Sequence, residues 1–154
     1  MNDSEIKVQP EHFQDIPFFR IFSAEQIEQL QPYFKIASYA ETTVLFDEGD
    51  RGAYTCFILE GTLEIRKESV SSKQTVIAKF GRGSIVGEMA LIDEYPRSAS
   101  AKVTANSKLL VLHNKSFVEL LADYPNLGIL FFKEIAKILS QRLRRTAGRF
   151  SDIF

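Results

Sequence analysis

The chain has one cysteine, two histidines and no long apolar run, and each shortage removes a class of function. A single thiol, Cys56, cannot form an internal disulfide. Its place in the apolar run Thr55-Cys56-Phe57-Ile58-Leu59 assigns it to the core. His12 and His113 stand far apart, without H-x-H or H-E-x-x-H spacing, so a cupin-like metal site is not expected and both read as surface or structural histidines. There is no G-x-S-x-G elbow, Walker loop or cysteine–histidine pairing, and no enzyme is expected. A membrane-spanning helix needs about 20 apolar residues in succession. The opening MNDSEIKVQP is polar and contains acids, unlike a signal or transit peptide. The expected location is the cytoplasm, with no membrane contact. A net charge of -1, from 19 basic and 20 acidic residues, offers no global attraction to nucleic acid.

What is present is enough for one domain. The length of 154 residues and a 45% hydrophobic content allow a core without staples. Ser23-Ala24-Glu25-Gln26 reads as an N-cap and first turn, with Ile27 and Leu30 on one face and Pro32 limiting the helix. From about Ile36 to His113, segments such as Thr62-Leu63-Glu64-Ile65 and Ala99-Ser100-Ala101-Lys102-Val103 lie between glycine and polar turns. They predict short strands of a sandwich or open-ended barrel, with the serine-rich stretch 69–74 as a hairpin tip and Gly81-Arg82-Gly83 as a tight turn. After Asn114-Lys115-Ser116, which could cap a helix over Phe117, Leu120 and Leu121, Asp123-Tyr124-Pro125-Asn126 breaks the chain. Apolar positions then recur from Leu127 through Leu130, Phe131, Ile135, Ile138 and Leu139 to Leu143, one face of a long amphipathic helix.

The stretch G-E-M-A-L-I-D-E-Y-P-R-S-A-S, Gly87 to Ser100, concentrates the chemistry. Gly87 permits a close backbone approach. Glu88 opens a helical turn whose free amides carry partial positive charge, and its carboxylate can accept two hydroxyl protons, as ribose would offer. Arg97 presents a planar fork to phosphate oxygens. Pro96 stiffens the approach, Ser98 adds a hydroxyl, and Ala99 and Ser100 leave room for backbone amides to face an anion. Together these residues suit a small phosphorylated sugar. The bland alternative for Glu88 and Arg97 is an internal ion pair bracing a loop, which gains little stability when buried.

Gly87 to Ala99 also resembles the phosphate-binding cassette of the cyclic nucleotide-binding domains found in catabolite activator protein and protein kinase A regulatory subunits. That cassette reads G-E-[LM]-A-L-[IL]-x-x-x-P-R-[ASTN]-A. Upstream, V-L-F-D-E-G-D-R-G-A-Y-T-C-F-I-L-E-G-T-L-E-I, Val44 to Ile65, resembles the family's glycine-turned hairpin followed by strand, glycine and strand. The resemblance runs from about Phe18 to Leu143. Val86 departs from the phenylalanine many members carry before the glycine, which alters packing and leaves the polar groups in place. The resemblance implies an α+β fold, a β-sandwich or jelly-roll barrel (double-stranded β-helix) flanked by an N-terminal helix and C-terminal helices. Residues 1–17 form a polar lead-in and 18–154 the domain, with a lid or dimerisation helix at about 126–147. It further implies that Glu88 holds the ribose 2'-hydroxyl, Arg97 the cyclic phosphate and Ser98 the remaining oxygens. Gly87, Met89, Ala90 and Ala99 complete the cassette contacts, and Ile65 and Ile77 form an apolar wall beneath the base.

The expected ligand is a cyclic nucleotide, cAMP favoured over cGMP, with no metal or other cofactor. The long helix either packs on its own domain or moves over the ligand, pairs with a second copy, or does both, with Arg142, Arg145 and Phe150 as candidate lid residues. Its basic end, Arg142 to Arg149, complements the helix dipole or meets an acidic partner. No helix-turn-helix follows before Phe154, so direct DNA binding is not expected. The output is expected on an unidentified effector protein. The alternative is an interaction module that dimerises through the helix and keeps only a vestigial nucleotide site.

Overall fold

The computed structural model describes residues 6–151, without the side chains of residues 150 and 151. It divides into two compact units, residues 1–119 and 120–154. In the first unit, α1 (Glu11–Gln14) leads through a 3-10 turn (Pro17–Ile21) to α2 (Ala24–Leu30). Ser23 caps α2 as expected. Its hydroxyl accepts from the Gln26 amide at 3.2 Å while its own amide donates to Gln26 Oε1 at 2.9 Å, so two otherwise orphaned amides are satisfied reciprocally.

Part of the stretch expected as a polar lead-in carries core residues. Phe13 and Ile16 are buried, and the Phe13 ring meets Phe19 and Phe34 edge to face at 4.8 and 5.2 Å. Phe18 and Phe19 continue the cluster onto Phe57, with ring centroids 5.1 and 4.8 Å away. Burial of each such ring stabilises the fold by about 1.5–3 kcal/mol, and the edge contacts add to this.

Six antiparallel strands follow: β1 (Lys35–Tyr39), β2 (Val44–Phe46), β3 (Tyr54–Glu68), β4 (Gln74–Phe80), β5 (Ile85–Val86) and β6 (Ser100–His113). Their order is β1-β6-β3-β4, with β2 also pairing β6 and β5 pairing β3. This open sheet flanked by helices is the jelly-roll arrangement expected. β3 and β6 form its spine. Cys56, Ile58, Leu63, Val86, Val103, Leu109 and Val111 pack together on one side, while Phe57 points to the phenylalanine cluster on the other. Burial on both faces explains why the run 56–58 is apolar without alternation.

One expectation needs amending: strand, glycine and strand are here a single strand. β3 runs unbroken through Gly61, whose φ of +96° and neighbouring register shifts against β6 absorb the irregularity as bulges. The tip between β3 and β4 lies at 69–73, closed by the Ser69 amide on the Lys73 carbonyl at 2.9 Å.

α3 (Asn114–Asp123) begins in the first unit. In the second unit the chain turns through Tyr124 into α4 (Pro125–Ser151), with proline at a position that needs no amide donor. Along α4 the expected stripe is buried at Leu127, Phe131 and Ile135, whereas Leu143 is exposed. No helix among the described residues is long and apolar enough to cross a membrane.

Candidate functional site

The site is built where β5 ends. Gly87 takes φ +78° and ψ +24°, a left-handed conformation that turns the chain out of β5 into the 3-10 turn Glu88–Leu91. The positive φ favours glycine, and a Cβ there would stand 2.5 Å from Arg97 Nη1, so a side chain at this position would displace the guanidinium. Val86, the departure from the family pattern, is buried in the core cluster.

Ten residues after Gly87, Arg97 folds back over the start of the cassette. Nη2 donates to the Tyr54 carbonyl at 2.6 Å and Nη1 to the Gly87 carbonyl at 3.3 Å. The guanidinium lies 3.9 Å from the centroid of the Phe46 ring and 5.1 Å from that of Tyr54, both cation–π contacts. Arg97 is 7% exposed and Glu88 5% exposed. Burial draws the Arg97 pKa below its ordinary value, while Tyr54, Cys56, Asp50 and Glu88 act in the opposite direction. The buried Nε has no hydrogen-bond partner within the protein. Burial also pushes the Cys56 thiol up to about 12, so this cysteine stays a neutral core side chain.

The far half of the cassette is laced to the 47–53 turn. The Arg97 amide donates to the Asp50 carbonyl at 2.7 Å, the Gly49 amide donates to the Arg97 carbonyl at 2.8 Å, and Arg51 bridges to Pro96. Beyond it, Lys67 Nζ donates to the Ser98 carbonyl at 2.5 Å and pairs with Glu48 at 2.7 Å. The Lys67 bond and the Glu68 amide hold the Glu48 carboxyl below the usual range. The Glu48 amide in turn donates to Ser100 Oγ at 2.8 Å.

Together these contacts frame a cavity of about 210 Å³. Gly87, Glu88, Met89, Ala90, Arg97, Ser98 and Ala99 all line it, so the structure brings the cassette residues to one place. Ile65 and Ile77 are not among its lining residues. Ile65 packs on the core cluster, and Ile77 is half exposed on β4 beside a register shift. Outside the cassette, the apolar lining of the cavity comes from Phe46, at the end of β2. Phe46, Asp93 and Tyr95 were not singled out from the sequence. Asp93 and Tyr95 lie in the unspecified positions of the cassette pattern, and Phe46 had a signal only in the apolar residues that precede the Gly49 turn. Of the candidate lid residues, Arg142 is partly buried and Arg145 exposed, and the side chain of Phe150 lies outside the described residues, as do residues 1–5 and Phe154.

His12 Nδ1 accepts from the Gln9 amide at 2.8 Å, and the exposed His113 meets Tyr54 edge to face. Neither lines the cavity. Asn114 does not cap α3 through its side-chain oxygen, which has no hydrogen-bond partner; its amide nitrogen points back to the cassette instead.

The cyclic nucleotide-binding domain model matches residues 36–124. The cyclic AMP receptor protein of Thermus thermophilus is 28% identical over 128 residues, 83% of this chain and 57% of that protein. A cAMP-dependent protein kinase regulatory subunit of Mycosarcoma maydis is 28% identical over 121 residues, 75% of this chain and 22% of that one. The chain therefore spans little more than half of the first relative and under a quarter of the second. Among solved structures, a cyclic nucleotide-binding domain from Methylobacillus flagellatus superposes with a TM-score of 0.88 at 29% identity, covering 97% of this chain and 88% of that one. With the cassette residues gathered on one cavity and the model spanning more than half of its length, the chain belongs to the cyclic nucleotide-binding domain family.

Proposed function

We propose that the chain is a regulatory module that binds a cyclic nucleotide, cAMP in preference to cGMP, at the Gly87–Ala99 cassette. The observation that carries this reading is Arg97: a buried cation with an unpartnered Nε–H, placed at the same cavity as the buried carboxylate of Glu88. Leaving a buried donor unmade costs about 1–3 kcal/mol, and an anionic ligand offers the acceptor that would recover it. In this reading the cyclic phosphate meets Arg97, Ser98 and the neighbouring backbone amides, and the ribose 2'-hydroxyl donates to Glu88. The preference for cAMP is supported by the names of the two relatives, each of which refers to that nucleotide.

Output passes to the C-terminal helices. Ligand binding shifts the position of α4 to the extent that its two positions differ in affinity for the nucleotide. Ile129 and Leu143 leave most of their apolar surface exposed on α4, which supports a homodimer or an effector protein as the partner that covers it.

Calorimetry of nucleotide-free protein with cAMP, cGMP and 5'-AMP tests the reading. Saturable binding near one nucleotide per chain is expected, with 5'-AMP much weaker. Arg97→Ala should weaken the binding by about 2–5 kcal/mol, because the phosphate loses a buried charged partner. Wild-type affinity in that variant would place the site elsewhere.

A further inference from the structure

Asn114 joins three segments that sequence order keeps apart. It is the first residue of α3, directly after β6. Its backbone amide donates to the Ala53 carbonyl at 2.9 Å. Its side-chain Nδ2 donates to the Gly52 carbonyl at 2.8 Å and to the Ala90 carbonyl at 3.1 Å. Two carbonyl acceptors fix the amide's orientation, since a flipped Asn114 would set its own oxygen against both. An NH2 group has two hydrogens, and both are committed: one to the 47–53 turn, the other to the cassette.

The residues that Asn114 grips are themselves tied to the site. Ala90 lines the cavity, so the same residue faces the ligand space and passes its carbonyl to Asn114. Gly52 presses against Ala90 so closely that a Cβ there would come within 2.9 Å of the Ala90 Cβ. At the other end of the cassette, Arg97 exchanges backbone hydrogen bonds with Gly49 and Asp50 of the same turn. The turn therefore touches both the start and the end of the cassette, and Asn114 closes the loop onto α3. Any displacement of Ala90 relative to Gly52 must break or lengthen one arm of the Nδ2 fork. Meanwhile Asn114 Oδ1 is buried without a partner, so the present arrangement leaves one of its bonding sites unsatisfied.

We infer that Asn114 is a positioning residue that couples the cassette to the first turn of α3, transmitting ligand occupancy at Ala90 to the start of the C-terminal helices. The coupling rests on the cyclic-nucleotide reading above. It is tested by hydrogen–deuterium exchange of the full chain, with and without saturating cAMP, in wild type, Asn114→Ala and Asn114→Asp. The Asp variant keeps the size and removes the donors, and thermal melting shows which variants are folded. In wild type, cAMP is expected to change exchange across α3. In the variants, saturable cAMP binding by calorimetry is expected to persist while the nucleotide-dependent change at α3 is lost.

A wild-type α3 response retained in a folded variant would overturn the coupling. So would loss of cAMP binding in both variants, which would make Asn114 part of the pocket's framework instead. A wild type that binds cAMP with no change in exchange at α3 removes the coupling and leaves the nucleotide site standing. A wild type that binds neither cAMP nor cGMP removes the site reading, and the coupling with it.

Discussion

At Arg97 three influences act on one guanidinium: the two carbonyl hydrogen bonds, the face of Phe46 at 3.9 Å, and burial that disfavours the charge. The ring attracts the cation without satisfying any of its N–H groups, so it can fix the plane of the fork and leave donors for a ligand. Phe46→Ala should therefore weaken cyclic nucleotide binding by about 0.5–2 kcal/mol, the range of a cation–π contact from exposed to desolvated. Phe46→Leu, which keeps apolar bulk and removes the ring, should recover little of that loss. Calorimetric titration of both variants checks this, and equal affinity across the three proteins would show that the ring does not orient Arg97. Glu88, Arg97 and Ser98 were legible because the cassette is contiguous and its residue types announce their chemistry. Phe46 and Tyr54 were not, because they reach Arg97 from β2 and β3 through pairings of β6 with both strands. An apolar wall was expected at Ile65 and Ile77, but apolar strand residues look alike in sequence whether they face a core or a cavity.

Elements whose signals are local are legible in the sequence. The Ser23 cap is an example: both bonds of the capping box lie within four residues, so nothing distant can override them. Ser23→Ala should destabilise the domain by about 1 kcal/mol, and Ser23→Gly by only a few tenths, measured as a shift in the urea midpoint at unchanged slope. An unchanged midpoint for the alanine variant would mean that water replaces the cap at no cost. Signals that depend on a distant partner are ambiguous in the sequence. Gly61 in an apolar pattern is consistent with a break or with a bulge, and only the pairing with β6 decides for the bulge. Phe13 stands between polar neighbours in a pattern too short to mark a buried face, and its burial depends on Phe19, Phe34 and the rest of a cluster assembled in three dimensions. The hydrophobic face of α4 was visible at Leu127, Phe131 and Ile135, yet the same period continues to Leu143, which is exposed. Periodicity reports which face could be covered and not where the cover ends.

For the whole molecule, the expectation of a sandwich or open-ended barrel followed from short apolar segments between turns. The strand order did not, because it rests on contacts such as Lys35 with Val111 that span half the chain. The same long separation determines how ligand binding should affect stability. Phe46, Tyr54, Gly87, Glu88 and Arg97 meet only when β2, β3, β5 and β6 are paired, so the unfolded chain has no equivalent of the site. A nucleotide that binds only the folded state stabilises it by RT ln(1 + [L]/Kd), about 2.7 kcal/mol at a hundredfold excess over Kd. For a chain of this size each kcal/mol moves Tm by roughly 2–4 °C, so the expected rise is roughly 5–11 °C. The rise should continue with the logarithm of ligand concentration rather than level off at saturation, because unfolding must still compete with rebinding. Thermal melts across a cAMP series check both features. Arg97→Ala at the same concentrations should shift far less, since its Kd is larger. A wild-type Tm that stays flat up to millimolar cAMP and cGMP would mean that neither nucleotide selects the folded state, and the regulatory reading of the cassette would have to be abandoned in favour of an interaction module centred on α4.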